Sequence, residues 1–407
     1  MSRVGELLAE LSPGGVEYRN LGELGEIIRG RRFTKSDVAV EGLPSIHYGE
    51  IYTTYGISAI TTVSHVRADL RPQLRFAKPG DVVIAAVGET VEDVGRGVAW
   101  LGEVEVAVHD DCFMFRSTLL DPKFVAYFLR TESLIRQKDK YIARAKVNRI
   151  AGDSIAKLRI PVPPIEVQRE IVRILDQFTQ LEAELEAELE ARRTQYDYYA
   201  EELLSVDADT PRVRFGDVAT VVRGASPRPI QQFITDAEDG APWIKIGDVP
   251  PDGKYITGTA QRVTLAGAAK SRRVLPGDFV LSNSMSFGRP YISKIEGYIH
   301  DGWLAISGFE ESYVADYLYY LLRSAPIQDE FKRRAGAGTV QNLNAEIVRS
   351  VEIPLPPQEV QIRVVKLLDR FDTLLNDISI GLPAELNARR KQYEYYRDKL
   401  LAFREAE

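Results

Sequence analysis

The chain has almost no cysteine and no long apolar segment. Cys112 is the only cysteine among 407 residues, so no internal disulfide can form, and this composition is typical of a reducing compartment. No apolar run approaches the roughly 20 residues that a membrane span requires. Residues 1–15 lack the apolar core and the small-residue cleavage site of a signal peptide. We therefore expect a cytoplasmic protein.

Sequence motifs of catalysis are also missing. The sequence contains no GxxxxGKS or GxxxxGKT phosphate-binding loop, and no glycine-rich cofactor loop followed by Asn-Pro-Pro-Tyr or Asp-Pro-Pro-Tyr. Residues 330–332, Glu-Phe-Lys, match the acid-x-lysine fragment of many nucleases, but no acidic pair precedes them in a suitable context. Residues 109–111, His-Asp-Asp, and 300–301, His-Asp, fit a hairpin turn better than a metal site. We expect no catalytic residue, no bound metal and no cofactor on this chain.

No segment of the chain is strongly basic. The formal net charge is −7, and residues 166–205, with eleven acidic and four basic side chains, account for the whole imbalance. Binding to a polyanion such as DNA therefore needs local basic patches, or partner proteins that supply phosphate contacts.

Two stretches of the sequence occur twice. Residues 160–181 match residues 353–374 at twelve of 22 positions, and residues 191–205 match residues 388–402 at nine of 15 positions. The regions that precede each match share only glycines, a Pro-Gly-Asp turn and apolar runs. One module therefore keeps the same role twice, while the other is free to differ between the copies.

The repeated module is predicted to be a long helix behind a stiff, proline-rich lead-in. Because Ile-Pro-x-Pro-Pro favours extended backbone, the helix should begin near Ile165 and again near Gln358. Apolar residues alternate at spacings of four and three through residues 171–203, which is the pattern of a coiled-coil seam. About 40 residues at 1.5 Å each give a helix of about 60 Å. Pro383 lies in a four-residue insertion and is expected to bend or restart the second helix.

The variable modules are predicted to contain both strands and helices. Strands are predicted at residues 82–85, 99–108, 279–282 and 291–299, and helices at residues 124–136 and 313–331. The fold class is thus α+β, with two globular domains separated by two long antiparallel coiled-coil helices and related by an approximate two-fold repeat. The predicted boundaries are 1–160 for the first globular domain, 161–206 for the central helix, 207–353 for the second globular domain and 354–407 for the C-terminal helix.

This organisation resembles the specificity subunit of type I restriction-modification enzymes. The resemblance rests on IPVPPIEVQ and IPLPPQEVQ after each variable domain and on the ending ARRKQYEYYRDKLL, and it covers essentially the whole chain. It implies that each variable domain is a target-recognition domain for double-stranded DNA, so that the target is bipartite. It also implies that the helices form a spacer that binds two modification subunits, which restriction subunits join. S-adenosylmethionine and ATP are then expected only on the partner subunits.

Basic and polar loop residues are the candidates for DNA contacts. Arg29 and Arg223 occupy equivalent positions and should serve a shared purpose, such as structure or a phosphate contact, whereas residues that differ between the copies suit base reading. Solvated surface charge is an equally good account of any single one. The candidates are Arg29, Arg31, Arg32, Lys35, Tyr52, Lys146, Asn148, Arg223, Arg228, Lys245, Arg272, Arg273, Ser284, Ser286, Arg289, Gln341 and Asn342.

Aromatic residues on the helices are the candidates for subunit contacts. They span more than one helix face, which favours the docking of further helices, although an ordinary seam with tyrosines at its rim is the alternative. The candidates are Tyr196, Tyr199, Leu203, Tyr393, Tyr396 and Leu400. Two other functions are compatible with the sequence: a non-catalytic coiled-coil scaffold whose domains bind protein, and, much less well, a nuclease.

Overall fold

The computed structural model describes residues 3–205, 209–249, 253–283, 287–336, 342–376 and 381–406. By its internal contacts the chain divides into two compact units. Unit 1 comprises Met1–Ala187 and Glu385–Glu407, and unit 2 comprises Glu188–Ala384. Each unit thus contains one globular domain together with parts of both long helical segments.

The helices of the described residues are numbered along the chain. They are α1 Arg3–Leu11, α2 Leu21–Leu24, α3 Tyr48–Thr53, α4 Pro122–Phe128, α5 Glu132–Asp139, α6 Gly152–Ala156, α7 Ile165–Leu204, α8 Phe215–Val218, α9 Leu265–Ala268, α10 Ala315–Arg323, α11 Ala325–Ala335, α12 Ala345–Ser350, α13 Gln358–Asn376 and α14 Leu382–Leu400. None of these helices is long and apolar enough to span a membrane.

The described strands fall into two sets, which match except that the small sheet of β9 and β13 is described only in unit 1. Unit 1 contains β1 Tyr18–Asn20, β2 Glu26–Arg29, β3 Val38–Ala39, β4 Leu43–Ile46, β5 Ser58–Ala59, β6 Ser64–Val66, β7 Phe76–Ala77, β8 Val82–Ala85, β9 Val87–Gly88, β10 Gly97–Trp100, β11 Val106–Val108, β12 Cys112–Arg116, β13 Asn148–Arg149 and β14 Arg159–Pro161. Unit 2 contains β15 Arg212–Arg214, β16 Thr220–Arg223, β17 Ile234–Thr235, β18 Ala241–Ile244, β19 Tyr255–Ile256, β20 Gln261–Val263, β21 Arg272–Val274, β22 Phe279–Ser282, β23 Pro290–Ser293, β24 Gly297–Ile299, β25 Trp303–Ser307 and β26 Glu352–Pro354.

The two units share one sheet topology. The first sheet runs β2-β12-β8-β10-β5 in unit 1 and β16-β25-β22-β23-β19 in unit 2, and the second runs β3-β6-β4-β11-β7 and β17-β20-β18-β24-β21. In each copy every strand takes the place of its counterpart. The α+β fold and the internal repeat are therefore confirmed, even where the two sequences share little.

The central strands of the first sheet, β8, β10 and β12, are buried on both faces. In unit 1, Val82 and Ile84 of β8 pack with the helices, whereas Val83 and Ala85 pack with the second sheet. The alternation of a strand is present, but both sets of side chains are apolar, so the sequence reads as one apolar run. This explains why the strands at residues 82–85 and 279–282 could be predicted from continuous apolar stretches.

Several predicted elements are correct in position but divided. The predicted strand 99–108 and the predicted strand 291–299 are each two strands that lie in different sheets. The predicted helix 124–136 is interrupted because the Thr131 hydroxyl accepts the Leu134 N–H and so starts α5 afresh. The predicted helix 313–331 is divided at Ser324, and a proline lies in the first turn of α11.

The long helices begin where the sequence predicts. α7 starts at Ile165 and α13 at Gln358, and Pro383 lies in the first turn of α14, after the non-helical Gly381. The lead-ins are extended, but they are not isolated: β14 pairs with β1 and β26 pairs with β15, antiparallel in both cases. The sequence alone did not predict these two ladders.

Candidate nucleic-acid interface and helix contacts

The His-Asp turns join strands of different sheets. In unit 1 the Cys112 N–H donates to the His109 carbonyl at 3.0 Å, which closes a tight turn between β11 and β12. In unit 2 the Trp303 N–H donates to the His300 carbonyl at 3.1 Å between β24 and β25. Because neither pair of strands shares a ladder, the predicted hairpins are wrong. Each turn instead carries the chain from the second sheet to the first.

The turn of unit 1 brings together three possible metal ligands. His109, Asp110 and Asp111 each place one ligand atom within 4.8 Å of the others, the only such group in the part of the chain that the structure describes. The His109 Nδ1 accepts the Asp111 N–H at 3.1 Å, so Nε2 carries the proton and donates to the Phe33 carbonyl at 3.1 Å. The ring thus keeps no lone pair for a metal ion, and both carboxylates face arginines. These contacts favour a structural role.

Two arginines hold this turn from outside. The Arg29 Nε–H donates to the Asp110 carbonyl at 2.8 Å, and an Arg75 Nη1–H donates to the Arg29 carbonyl at 2.8 Å. Both side chains are exposed, so the remaining N–H groups of each fork are accessible to solvent. We call this chain of contacts the arginine relay.

The arginine relay recurs in unit 2. The Arg223 Nε–H donates to the Asp301 carbonyl at 3.1 Å, and the Arg272 Nε–H donates to the Arg223 carbonyl at 3.3 Å. Arg228 adds an ion pair with the Asp301 carboxylate at 3.2 Å. Three of the predicted DNA-contacting arginines therefore gather at one turn. A relay present in both copies matches the shared purpose that the sequence assigned to Arg29 and Arg223.

Glycine follows Arg29 and Arg223 because the turn approaches the backbone closely at these two positions. A Cβ on Gly30 would lie 2.1 Å from the His109 carbonyl oxygen, and one on Gly224 would lie 1.9 Å from the His300 oxygen. The backbone of the next residues is thus fixed against the turn. In unit 1 the Arg31 N–H continues this contact by donating to the Val108 carbonyl at 2.9 Å.

The loop after Gly30 presents basic side chains from a fixed backbone. Arg31, Arg32 and Lys35 are exposed, and Phe33 between them is buried edge-on against His109 at a centroid distance of 4.9 Å. No described contact engages the guanidinium of Arg31 or Arg32. These two side chains keep a full set of donors for an external ligand.

The other candidates of unit 1 have different surroundings. Burial raises the pKa of Tyr52 on α3 to about 12, so its phenol remains a hydrogen-bond donor at neutral pH. The Asn148 Nδ2–H donates to the Glu89 carbonyl at 2.9 Å, and its amide therefore supports the loop after β9. Lys146 is exposed. Arg149, which is not among the predicted contacts, pairs with Asp111 and, with Arg29, lines a cavity of about 290 Å³.

The other candidates of unit 2 are dispersed. Arg273 pairs with Glu296 at 2.9 Å, and Arg289 lies over the Tyr291 ring at 5.7 Å. The half-buried Lys245 donates its backbone N–H to an Asp248 carboxylate oxygen at 2.7 Å, and Asn342 is exposed. Ser284, Ser286 and Gln341 lie outside the described residues.

A buried glutamine attaches each long helix to its globular domain. Gln168 accepts the Asp121 N–H at 2.8 Å, and Gln361 accepts the Val314 N–H at 2.8 Å. Each amide also donates to a proline carbonyl of its lead-in, at 2.8 Å and 2.9 Å respectively. This explains why both copies carry Pro-Pro-x-Glu-Val-Gln: the glutamine links lead-in, helix and domain.

Aromatic pairs link helix segments from different repeats. Tyr396 of α14 stacks on Phe178 of α7 in unit 1, at 5.5 Å between ring centroids, and Tyr199 of α7 stacks on Phe371 of α13 in unit 2 at 6.3 Å. In unit 1, Arg390 also pairs with Glu182 and Glu186 of α7. Tyr396 contacts Phe178, whereas the earlier Arg390 contacts glutamates later in α7, so α14 and this part of α7 are antiparallel.

Most candidates for subunit contacts are already used within a unit. Tyr393 and Leu400 pack on the core of unit 1, and Tyr196 and Leu203 pack on the core of unit 2. Burial raises the pKa of Tyr196 and of Tyr393. Tyr199 and Tyr396 remain partly exposed beside their phenylalanines. The most exposed tyrosines are Tyr198, which precedes Tyr199, and Tyr395, which precedes Tyr396, at 64% and 61% of their full accessible surface.

Comparison with known proteins identifies the family. The model of the type I restriction modification DNA specificity domain matches residues 13–191 and 209–388. The chain belongs to the type I restriction-modification DNA-specificity family. The resemblance drawn from the duplicated proline-rich lead-in and its helix is thereby confirmed.

Several relatives of this family are similar over most of the chain. The specificity subunit of the type I restriction enzyme EcoR124I/EcoR124II of Escherichia coli is 32% identical over 296 residues, which is 69% of this chain and 70% of that subunit. A Haemophilus influenzae chain, provisionally named a type I restriction enzyme specificity subunit, is 33% identical over 298 residues, covering 70% of this chain and 73% of its own length.

Two solved structures share the fold. A chain from a type I R-M system, solved in connection with complex assembly and conformational transition, has a TM-score of 0.71 at 17% identity and covers 95% of this chain and 97% of its own length. The HsdS subunit of Thermoanaerobacter tengcongensis has a TM-score of 0.53 at 19% identity, covering 96% and 97%.

Proposed function

We propose that the chain recognises a bipartite target in double-stranded DNA, with one half read by each unit. One observation carries this proposal: a single scaffold, including the arginine relay, occurs twice with different side chains on it. Directly after Gly30, unit 1 has Arg31 and Arg32, and at the equivalent positions after Gly224, unit 2 has Ala225 and Ser226. Arginine reads guanine through paired hydrogen bonds, and alanine has no such donors. Equivalent loops would therefore prefer different bases.

We further propose that DNA binding depends on partner subunits. Electrostatic contacts with phosphates dominate the affinity of most DNA-binding proteins, and this chain has a net charge of −7. Two modification subunits on the helices, which two restriction subunits can join, would supply the missing positive surface. S-adenosylmethionine and ATP would bind only to these partners, and the assembly would work in the cytoplasm.

The proposal assigns no catalysis to the chain itself. The contacts of the nuclease-like fragment on α11 favour a surface ion-pair cluster over a catalytic site. Arg333 and Arg334 donate hydrogen bonds to the Glu330 carboxylate, and Lys332 pairs with Asp329 at 3.2 Å. The described pairs neutralise the acid and the lysine that a metal-dependent nuclease would need. A metal-dependent cleavage assay on the isolated chain, with Glu330→Ala and Lys332→Ala, would test this part.

A domain exchange tests the proposal that each unit recognises one half of the target. Residues 21–160 are replaced by the corresponding residues of a relative with a known target, the chain is co-purified with its modification subunit, and the methylated sequences are determined. We expect one half of the target to change and the other half to remain. A change in both halves, or in neither, would contradict the proposal. A host methylome with no gapped motif dependent on this chain would favour the scaffold alternative.

A further inference from the structure

Two equivalent arginines lie where the globular domains pack on the long helices. Arg130 comes just after α4 in unit 1, and Arg323 is the last residue of α10 in unit 2. They are separated by the same number of residues as the repeated stretches 160–181 and 353–374, so the repeat places them at one position. One neighbouring hydrogen bond recurs in both units, at 2.8 and 2.7 Å: Tyr127 with Asp176, and Tyr320 with Asp369.

The arginine of unit 2 finds its partners within the chain. The Arg323 Nη1–H donates to the Tyr319 hydroxyl at 2.6 Å, and the guanidinium lies 5.3 Å from the centre of the Tyr319 ring. Burial acts to lower the pKa of Arg323, but Tyr319 and Asp372 counteract it, so the pKa is raised overall. Asp372 belongs to α13, and the long helix thus supplies negative charge to this arginine.

The arginine of unit 1 lacks both of these partners. Their equivalents are Ala126 and Thr179, which carry neither an aromatic ring nor a carboxylate. The Arg130 Nη2–H donates to the Gly56 carbonyl, but Nε is buried without a hydrogen-bond partner. Burial lowers the pKa of Arg130 to about 10, and the nearby Arg96 lowers it further. No carboxylate among the described residues forms an ion pair with Arg130, so its charge is buried without compensation.

A neighbouring charge shows how such a change is compensated elsewhere. Lys123 of α4 pairs with Asp176 of α7 at 2.5 Å, and the residue equivalent to Lys123 in unit 2 is Asp316. There Lys254 supplies the cation, at 2.7 Å from Asp316 and 3.4 Å from Asp369. An ion pair with the long helix is therefore kept in both units. The arginine of unit 1 has no such replacement among its described neighbours.

A cavity of about 310 Å³ lies beside Arg130. Its lining comes from the start of β5, from α4 and the residue that follows it, from α7 and from α14. The two carboxylates in the lining each have a cation of their own: Asp176 has Lys123, and Glu182 has Arg390 at 2.6 Å. Arg130 thus contributes a positive charge that the rest of the lining leaves unbalanced.

We propose that this cavity, which we call the Arg130 cavity, binds a small oxyanion, such as inorganic phosphate, that accepts hydrogen bonds from the Arg130 guanidinium. Guanidinium groups form their strongest hydrogen bonds with phosphate and carboxylate oxygens. The ligand takes the place that Tyr319 and Asp372 fill in unit 2, and it joins the first globular domain to α7 and α14. Unit 2 carries its own partners, so Arg323 binds no anion. This proposal does not rest on the proposed function.

Equilibrium dialysis of the full-length chain against labelled inorganic phosphate tests the Arg130 cavity. Thr179→Asp gives unit 1 the carboxylate that Asp372 supplies in unit 2, and it leaves Arg130 in place. Gln177→Glu is the matched control, because it adds the same charge to an exposed position of α7. Arg130→Gln and Arg323→Gln remove the two arginines in turn. Thermal melting checks the folding of each variant, and competition by sodium acetate at constant ionic strength compares carboxylate with phosphate.

We expect one phosphate per chain, with affinity lowered by roughly tenfold or more in Thr179→Asp and in Arg130→Gln. Gln177→Glu and Arg323→Gln should change the affinity less than twofold. Thr179→Asp should melt no lower than the unsubstituted chain, because its carboxylate pairs with Arg130. Competition by acetate would identify carboxylate as an equally good form of the oxyanion, and its absence would identify phosphate as the preferred one. No saturable binding below about 10 mM phosphate, or binding that Thr179→Asp leaves unaltered, would overturn the proposal.

Discussion

Gln361 is the clearest single link between a long helix and its globular domain. The side chain is fully buried, accepts the Val314 N–H at 2.8 Å, and donates to the Ser312 and Pro356 carbonyls at 3.0 and 2.9 Å. Gln361→Leu keeps a similar side-chain volume but removes the hydrogen-bond partner of the Val314 N–H and of the two carbonyls. Each of these groups costs about 1–3 kcal/mol if it stays buried without a hydrogen bond. Since local relaxation recovers part of that cost, we expect the free energy of unfolding of unit 2 to fall by about 3–5 kcal/mol.

Urea unfolding of the full-length chain, with hydrogen exchange of the α10 amides to localise the effect, measures this loss. The matched control is Gln358→Leu, because Gln358 is exposed and makes one long hydrogen bond to the Glu311 carbonyl at 3.4 Å. It should cost less than about 0.5 kcal/mol. Gln168→Leu should reproduce the large loss in unit 1. A loss below about 1 kcal/mol for Gln361→Leu would refute the reasoning, because the three bonds would then contribute little.

Three further outcomes are expected. Burial lowers the pKa of the His47 imidazole to about 4, so the protein should lose stability as the pH falls from 6.5 towards 4, by about 1–2 kcal/mol for a half-exposed ring. The variant His47→Asn keeps the cap on the Gly49 N–H, and pH-dependent melting of this variant should show no such loss. Arg75→Ala and Arg272→Ala should each lower methylation about two- to tenfold and alter base preference in different halves of the target, as methylome sequencing would show. Gly224→Ala should cost about 1–3 kcal/mol in thermal unfolding, since its Cβ meets the turn.

Local signals predicted the elements well. The proline-rich lead-in and the heptad pattern placed the starts of α7 and α13 correctly, because both signals act within a few residues of the chain. The errors have the same physical origin. Thr131 and Ser324 each begin a new helix inside an apolar pattern that runs on unchanged, so periodicity alone joined neighbouring helices.

Contacts between residues that lie far apart in the sequence could not be predicted. The relay residue Arg75 lies 46 residues from Arg29, and nothing in its local sequence distinguishes it from other surface arginines. One signal did exist: Arg75 and Arg272 lie just before the duplicated Pro-Gly-Asp turn, at equivalent positions of the two repeats. The ladders of the lead-ins and the packing of α1 left no such trace, because any extended or amphipathic segment could have made them.

The aromatic stacks show that contact and sequence repeat divide the chain differently. By repeat, Phe178 and Tyr199 belong together on α7; by contact, Phe178 pairs with Tyr396, and Tyr199 pairs with Phe371. A double-mutant cycle decides between the two divisions. Alanine substitutions at Phe178 and Tyr396 should show a coupling of about 0.5–1.5 kcal/mol in the free energy of unfolding, whereas those at Phe178 and Tyr199 should be additive within about 0.5 kcal/mol.

The reverse result, with coupling along α7 and none across to α14, would mean that each repeat folds around its own helix. With the pairing described here, each unit needs helix segments from both repeats. A target-recognition module can then be exchanged without loss of stability only if the junctions fall outside α7, α13 and α14. An exchange of residues 21–160 meets that condition, because α7 begins at Ile165 and the host keeps both members of every stack. An exchange that continues to residue 191 replaces Phe178 but leaves Tyr396, and we expect it to melt at a lower temperature.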